Sequence, residues 1–590
     1  MRRSLRASRT FVIMGAALTL AGVAACSSGG APASGGSQAA QGQPHAGGTL
    51  YMSGTGDVDF MDPDITYYTV GYENLRMWDR PLMSYPAIAG KTTSLVPDLA
   101  EAAPTVSDGG LEYTFTIRKG VMWNTKPARQ VVAADVARGL ERSCNPVKPS
   151  GATPDYAPLI VGFAQYCTAL EGTQGTLSAI NGYIKSHSIP GIVLDPSNPL
   201  TISFKLTHPA TYFPALTALG GFMPAPVEYL NYLPDSTALA QHTISDGPYE
   251  IQSYVPDKSI VYVRNPAWKA STDPVSKAYV DKIVVNETTS AQTVQEELQA
   301  NSPTADLYWG DTQVPTSDVP GLIASHNPAL ILGPTDGLDP YLVFDFADPN
   351  LSGAMQNLQV RQAISEAIDR SALIQNAGGA QLAAPLTHVL PSNIVGSTPA
   401  SYYPYSPAKA KAVLSSKHLS LKLLYQADNP VQTKMFQTIQ FDLSQVGVKV
   451  SGVGVPTADI YSKYLEVPGV SKNGTWDLAL SQWYPDWYGN NAVNYFYPIF
   501  DGASEVPAGA NSQLYNNPTV NSLISAGEDA TSASAAASDW TKADQAIMKQ
   551  AVFYPIDTVN FATFHSSAVH NAVFVPYLQA LDPTNVWLSS

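Results

Sequence analysis

Basic residues, cysteines and long apolar runs are all scarce in this 590-residue chain, and each scarcity narrows its chemistry. Lys and Arg number 33 against 48 Asp and Glu, a formal charge of −15, and four of those arginines lie in the first ten residues. Without them the charge is nearer −19, which argues against nucleic acid as a partner and against clinging to anionic lipid. Beyond residue 25 no segment is long and apolar enough to span a bilayer. There are three cysteines, and no histidine stands at ligand spacing beside them, so neither a metal site nor a thiol nucleophile is expected. His-Glu-x-x-His and Gly-x-Ser-x-Gly are both missing, and no Ser/His/Asp context stands out. What is plentiful is length, enough for two or more lobes with sizeable cores.

The N-terminus carries Arg2, Arg3, Arg6 and Arg9, then an apolar run from Phe11 to Ala25 that ends in small residues before Cys26. Residues 1–25 read as a signal peptide. The run into Cys26 resembles the lipobox of bacterial lipoproteins, which implies cleavage before that cysteine and acylation of it. Residues 26–48 are mostly Ser, Gly, Ala, Gln and Pro, a tether reaching on the order of 25 Å. The arginine pair leaves the export route open between Sec and Tat. Cys144 and Cys167 remain, and in an exported protein they are expected to form a disulfide worth about 3 kcal/mol.

The stretch from Trp476 to Gly502 opens as a strand, with Leu478 and Leu480 alternating with Ala479 and Ser481. A loop follows, crowded with Trp483, Tyr484, Trp487 and Tyr488 around the single carboxylate Asp486. Rings offer contact area at little entropic cost, and a carboxylate pairs with an ammonium, so this is expected to be one wall of a small-molecule cleft.

Upstream, "VPDLAEAAPTVSDGGLEYTFTIRKGVMW" and the helix "AADVARGLER" are followed by Asp246-Gly247-Pro248-Tyr249, Arg264-Asn265-Pro266-Ala267-Trp268 and "TADLYWG". Val360 to Arg370 then places apolar residues at 360, 363, 364, 367 and 368, a helix with one buried face. In this order the motifs resemble the family 5 extracellular solute-binding proteins of ABC importers, the oligopeptide- and dipeptide-binding group. Residues 124–129 depart from the family's short Asp-Gly turn. Arg361 falls in the family's VRqAi motif and is assigned to structure, as a surface or interlobe ion pair.

The resemblance implies an α/β, two-lobe periplasmic-binding-protein-like fold (type II, cluster C-like) with an extra subdomain in a discontinuous first lobe; element patterns alone say only mixed α/β. The expected boundaries are 49–82, 216–340 and 551–590 for lobe I, 83–215 for its extra subdomain, and 341–550 for lobe II. Thr49–Gly54 is expected at a sheet edge, and Val552–Ile556 as the strand returning to lobe I. The implied function is capture of short peptides for a membrane permease, with Asp486 accepting the peptide ammonium and Trp309, Trp483, Tyr484, Trp487 and Tyr488 around it. No cofactor is implied. The implied protein is a monomer on the outer face of the cytoplasmic membrane, touching lipid through its anchor only. An oligosaccharide stacked on the tryptophans is the alternative ligand. A secreted hydrolase using Asp477 and Asp486 is the alternative class, and His565 and His570 are read as a solvated or packed pair.

Overall fold

A computed structural model describes residues 43–334, 336–350, 353–489, 492–505 and 509–589. The expected signal peptide, Cys26 and most of the tether lie outside the described residues. The first sheet is built around Thr49–Ser53, which buries Leu50 and Met52 and runs parallel to Lys282–Asn286 on one side and Leu307–Tyr308 on the other. Ser259–Arg264 and Tyr249–Val255 extend it antiparallel. Thr49–Ser53 is therefore interior, not the edge its position predicts. The two-residue strand Leu307–Tyr308 is enough to cover it, and the Asp306 carboxylate accepts from Tyr51 N–H at 2.9 Å.

The helix Thr69–Trp78 packs beside this sheet. Its end explains the Gly-Pro-Tyr motif: Gly247 N–H donates to the Trp78 carbonyl at 3.0 Å, and a Cβ on Gly247 would sit 2.6 Å from the Trp78 carbonyl carbon. Residues 105–205 add a four-stranded antiparallel sheet, Thr105–Ser107, Glu112–Thr116, Thr201–Lys205 and Ile192–Leu194. The departure at 124–129 is the turn of a hairpin pairing Met122–Trp123 with Arg129–Gln130. Cys144, which caps the helix Ala133–Ser143, is disulfide-bonded to Cys167 in the helix Phe163–Glu171, with Cα atoms 5.2 Å apart.

The second sheet has the order Lys449–Val455, Ser420–Gln426, Leu478–Trp483, Leu338–Phe344, Phe553–Pro555. Leu478 to Ser481 are buried on both faces, so the alternation read from the sequence does not mark an exposed face; central strands covered on both sides bury every position. Phe553–Pro555 lies at the edge of this second sheet, antiparallel to Leu338–Phe344, rather than in the first. The return is made just beyond it, where Phe561–Phe564 pairs with Leu330–Gly333. The outgoing and returning chains thus cross between the two lobes side by side, the arrangement that allows hinge closure.

Arg361 is buried and, among the described residues, has no acidic partner. Its guanidinium donates to the carbonyls of Ala551 (2.8 Å), Met355 (2.6 Å) and Gln550 (2.6 Å) and lies 4.2 Å from the Phe346 ring centre. The expected ion pair is replaced by a carbonyl cradle that ties the helix Leu358–Ala367 to the end of the helix Ala533–Lys549.

Candidate functional site

The strand Leu478–Trp483 delivers the aromatic loop to the crossing region, where Trp483 pairs with Leu338. Tyr484 packs its ring on Gly337, where a Cβ would lie 2.6 Å from the ring, and its hydroxyl donates to Asp339, which also accepts from Gln482. The ladder between these strands shifts register between Leu338 and Tyr341, at Asp339.

Asp486 is fixed by Asn494, in the first turn of the helix Val493–Phe500. Asp486 N–H donates to Asn494 Oδ1 at 3.0 Å, and Asn494 Nδ2 donates to Asp486 Oδ2 at 3.1 Å. From the first lobe the Tyr67 hydroxyl donates to the same carboxylate. Burial pushes Asp486 up to about 6, although the bonds from Asn494 and Tyr67 oppose the shift. Asp155, from the extra subdomain, is close enough to feel that charge, and burial and Asp486 together push it well above the usual carboxylate range. Its Oδ2 is buried without a hydrogen-bond partner. Among the described residues no lysine or arginine offsets either shift. Two carboxylates facing each other with no cation form a site that favours positive charge.

The next two rings close the lobes on each other. Trp487 stacks on Tyr212 at 6.0 Å between ring centres and 15° between planes. Tyr488 is held through its backbone by the Tyr85 hydroxyl. With 3 % and 4 % of their surfaces exposed, neither ring is an open face of the cleft. Trp309, expected beside them, is fully buried inside the first lobe, its indole donating to the Gly56 carbonyl at 3.2 Å and its backbone N–H to Ser53. Parallel pairing of Leu307–Tyr308 with Thr49–Ser53 carries Trp309 into the core rather than the cleft. Trp483 remains half-buried, with an unpartnered indole nitrogen.

The structure also separates the acids of the hydrolase alternative. Asp477 is fully buried before the strand, accepting from Asn350 Nδ2 at 3.0 Å and from Lys422 N–H at 2.5 Å. Roughly 20 Å of strand lies between it and Trp483, too far for a glycosidase pair once the short loop to Asp486 is counted. His565 bonds the Ser566 carbonyl, and His570 stacks on Trp587. Tyr67, Tyr85, Asp155, Tyr212 and Asn494 were not anticipated. Only Tyr67, in the ring pair Tyr67-Tyr68 ahead of a helix, left any trace in the sequence.

Residues 94–505 match the bacterial extracellular solute-binding proteins, family 5, middle region. The chain is similar to the probable di/tripeptide-binding protein 5 of Pseudomonas aeruginosa, 25% identical over 492 residues covering 79% of this chain and 82% of that protein. It is also similar to heme-binding protein A of Haemophilus influenzae, 24% identical over 494 residues and covering 80% of each. Among solved structures, its fold is similar to that of clavulanic acid biosynthesis oligopeptide binding protein 2, with a TM-score of 0.81 at 23% identity, covering 92% of this chain and 96% of that one.

Proposed function

The chain belongs to the bacterial extracellular solute-binding proteins of family 5, and from that premise we propose that it captures short peptides between its lobes and hands them to the permease of an ABC importer. The observation that carries this reading is Asp486: an interlobe carboxylate gripped by Asn494, facing Asp155, and with no basic side chain beside it among the described residues. A peptide ammonium supplies the missing charge, and a charge-assisted bond there is worth about 1.5–3 kcal/mol. The name of the Pseudomonas relative points to the same ligand class. Trp483 and Tyr484 flank the peptide, and Trp487 and Tyr488 act through closure of the lobes. An oligosaccharide would need free ring faces, and Trp487 already spends one on Tyr212.

The remaining assignments belong to the same proposal. Residues 1–25 are a signal peptide and Cys26 is the lipid anchor. Residues 49–82, 83–215 (the extra subdomain), 216–337 and 561–589 form lobe I, and 338–555 form lobe II. The protein works as a monomer on the outer face of the cytoplasmic membrane. A thermal-shift screen of di- and tripeptides, short oligosaccharides and haem tests the ligand class. Stabilisation by peptides that disappears in Asp486→Asn supports it, and stabilisation by sugars or haem alone overturns it.

A further inference from the structure

Beside Asp486, between the extra subdomain and the second lobe, lies a cavity of about 80 Å³ whose walls include Asp155, His208, Tyr212, Trp487, Tyr497 and Glu528. Three features make it more than a packing gap. Its two carboxylates, Asp155 and Glu528, come from opposite lobes and have no lysine or arginine partner among the described residues, and Asp155 Oδ2 is a buried acceptor with nothing to accept from. Trp487, only 3 % exposed, carries a buried indole N–H with nothing to donate to. Tyr212 and Trp487 stack across the lobes at the same place, and Tyr497 completes an aromatic wall. The one basic ring present, His208, is already engaged, with Nδ1 3.1 Å from Asp529.

We propose that this cavity is a specificity pocket for a basic side chain, above all an arginine guanidinium, at or next to the N-terminus of the bound peptide. The proposal rests on the peptide reading of Asp486. A guanidinium is planar, stacks on aromatic faces and donates in a fork, so it can lie against Tyr212 and Tyr497 while bonding Asp155 and Glu528. The indole N–H of Trp487 needs an acceptor, which the carbonyl of the same peptide residue supplies. Burial, with the charges of Asp501 and Asp529, raises Glu528 to about 8, and Asp155 is raised too, so the walls are strained toward neutrality until a cation arrives. Because Asp155 also feels Asp486, the ammonium and the side-chain charge of one ligand occupy neighbouring sites.

The test compares Arg-Ala-Ala, citrulline-Ala-Ala and Ala-Ala-Ala, all with free N-termini, by calorimetry on the purified protein. Citrulline keeps the shape of arginine and removes its charge. Arg-Ala-Ala is expected to bind at least about tenfold tighter than the citrulline peptide, the scale of one charge-assisted bond. In Asp155→Asn/Glu528→Gln that ratio falls to near one; Glu528→Gln alone lowers it in part and guards against a misfolded double variant. Equal binding of the arginine and citrulline peptides by the wild type overturns the pocket while leaving the peptide reading intact. A ratio that survives in both variants also overturns it. If none of the three peptides binds, the peptide reading fails and the pocket falls with it.

Discussion

Tyr85 and Tyr488, 403 residues apart, clasp the two lobes: the Tyr488 N–H donates to the Tyr85 hydroxyl at 2.8 Å, and that hydroxyl donates back to the Tyr488 carbonyl at 3.0 Å. The rings meet edge to face at 6.1 Å. One phenolic oxygen thus satisfies both backbone polar groups of the buried residue Tyr488, on the loop that presents Asp486. The carboxylate and the clasp lie within three consecutive residues, Asp486 to Tyr488, so on the proposed peptide reading capture of a ligand at Asp486 is tied to closure at Tyr488.

Removing that hydroxyl in Tyr85→Phe leaves the Tyr488 N–H and carbonyl unsatisfied when the lobes close, a penalty of about 1–3 kcal/mol. The variant is expected to populate the open form and to bind ligand about tenfold more weakly, since apparent affinity scales with the closed fraction. Small-angle scattering with and without ligand reads the shift. An unchanged scattering profile and affinity would remove Tyr85 from the closure mechanism.

The acidity of Asp486 gives a pH signature with a definite sign. Its carboxyl is raised from 3.8 to about 6 in the closed, folded protein, so the folded state holds the proton more tightly than the unfolded chain does. Stability without ligand therefore falls as pH rises through the window from about 4 to 6, by on the order of 3 kcal/mol from this group. Asp486→Asn should flatten that part of the curve. The check is the difference between wild-type and variant melting curves at pH 4 and pH 7; a difference that does not change with pH contradicts the assignment.

How far the sequence reaches is clearest at this loop. Its strand, its rings and Asp486 are local features, and period-two patterning followed by a ring-rich break exposes them. The motif order also carried the two-lobe architecture. The partners Tyr67, Tyr85 and Tyr212 sit in irregular segments of the other lobe, and Asp155 in the one-turn helix Thr153–Tyr156, and all four meet the loop only through tertiary closure. No spacing rule encodes contacts separated by hundreds of residues. Trp309 failed for a different reason: whether a ring after a short strand faces core or cleft depends on which neighbour that strand pairs with. Arg361, expected in a surface or interlobe ion pair, is instead buried and held by three carbonyls, contacts that no local pattern announces.

Gly337 lies where the chain enters the second lobe, and an added methyl would press 2.6 Å from the Tyr484 ring. Gly337→Ala should displace Tyr484 from Asp339, destabilise the protein by about 1–3 kcal/mol and weaken ligand binding. Urea denaturation and calorimetry on the same sample would show both effects. A change in stability without any change in affinity would place Tyr484 outside the site.

The Cys144–Cys167 bridge joins two helices of the extra subdomain. Its loss in Cys144→Ser/Cys167→Ser, or on reduction, should lower stability by about 3 kcal/mol. Melting with and without reductant measures it. The double-serine variant should be insensitive to reductant, whereas continued sensitivity would contradict an intact native bridge.

The most direct test of the central claim is calorimetric titration with one peptide in two forms, N-terminus free and N-terminus acetylated, against wild type and Asp486→Ala. The account predicts that acetylation of the ligand and truncation of Asp486 each weaken binding by at least about tenfold, and that the two losses do not add, because they remove the same ion pair. Equal binding of the free and acetylated peptides, or full affinity in Asp486→Ala, would contradict it.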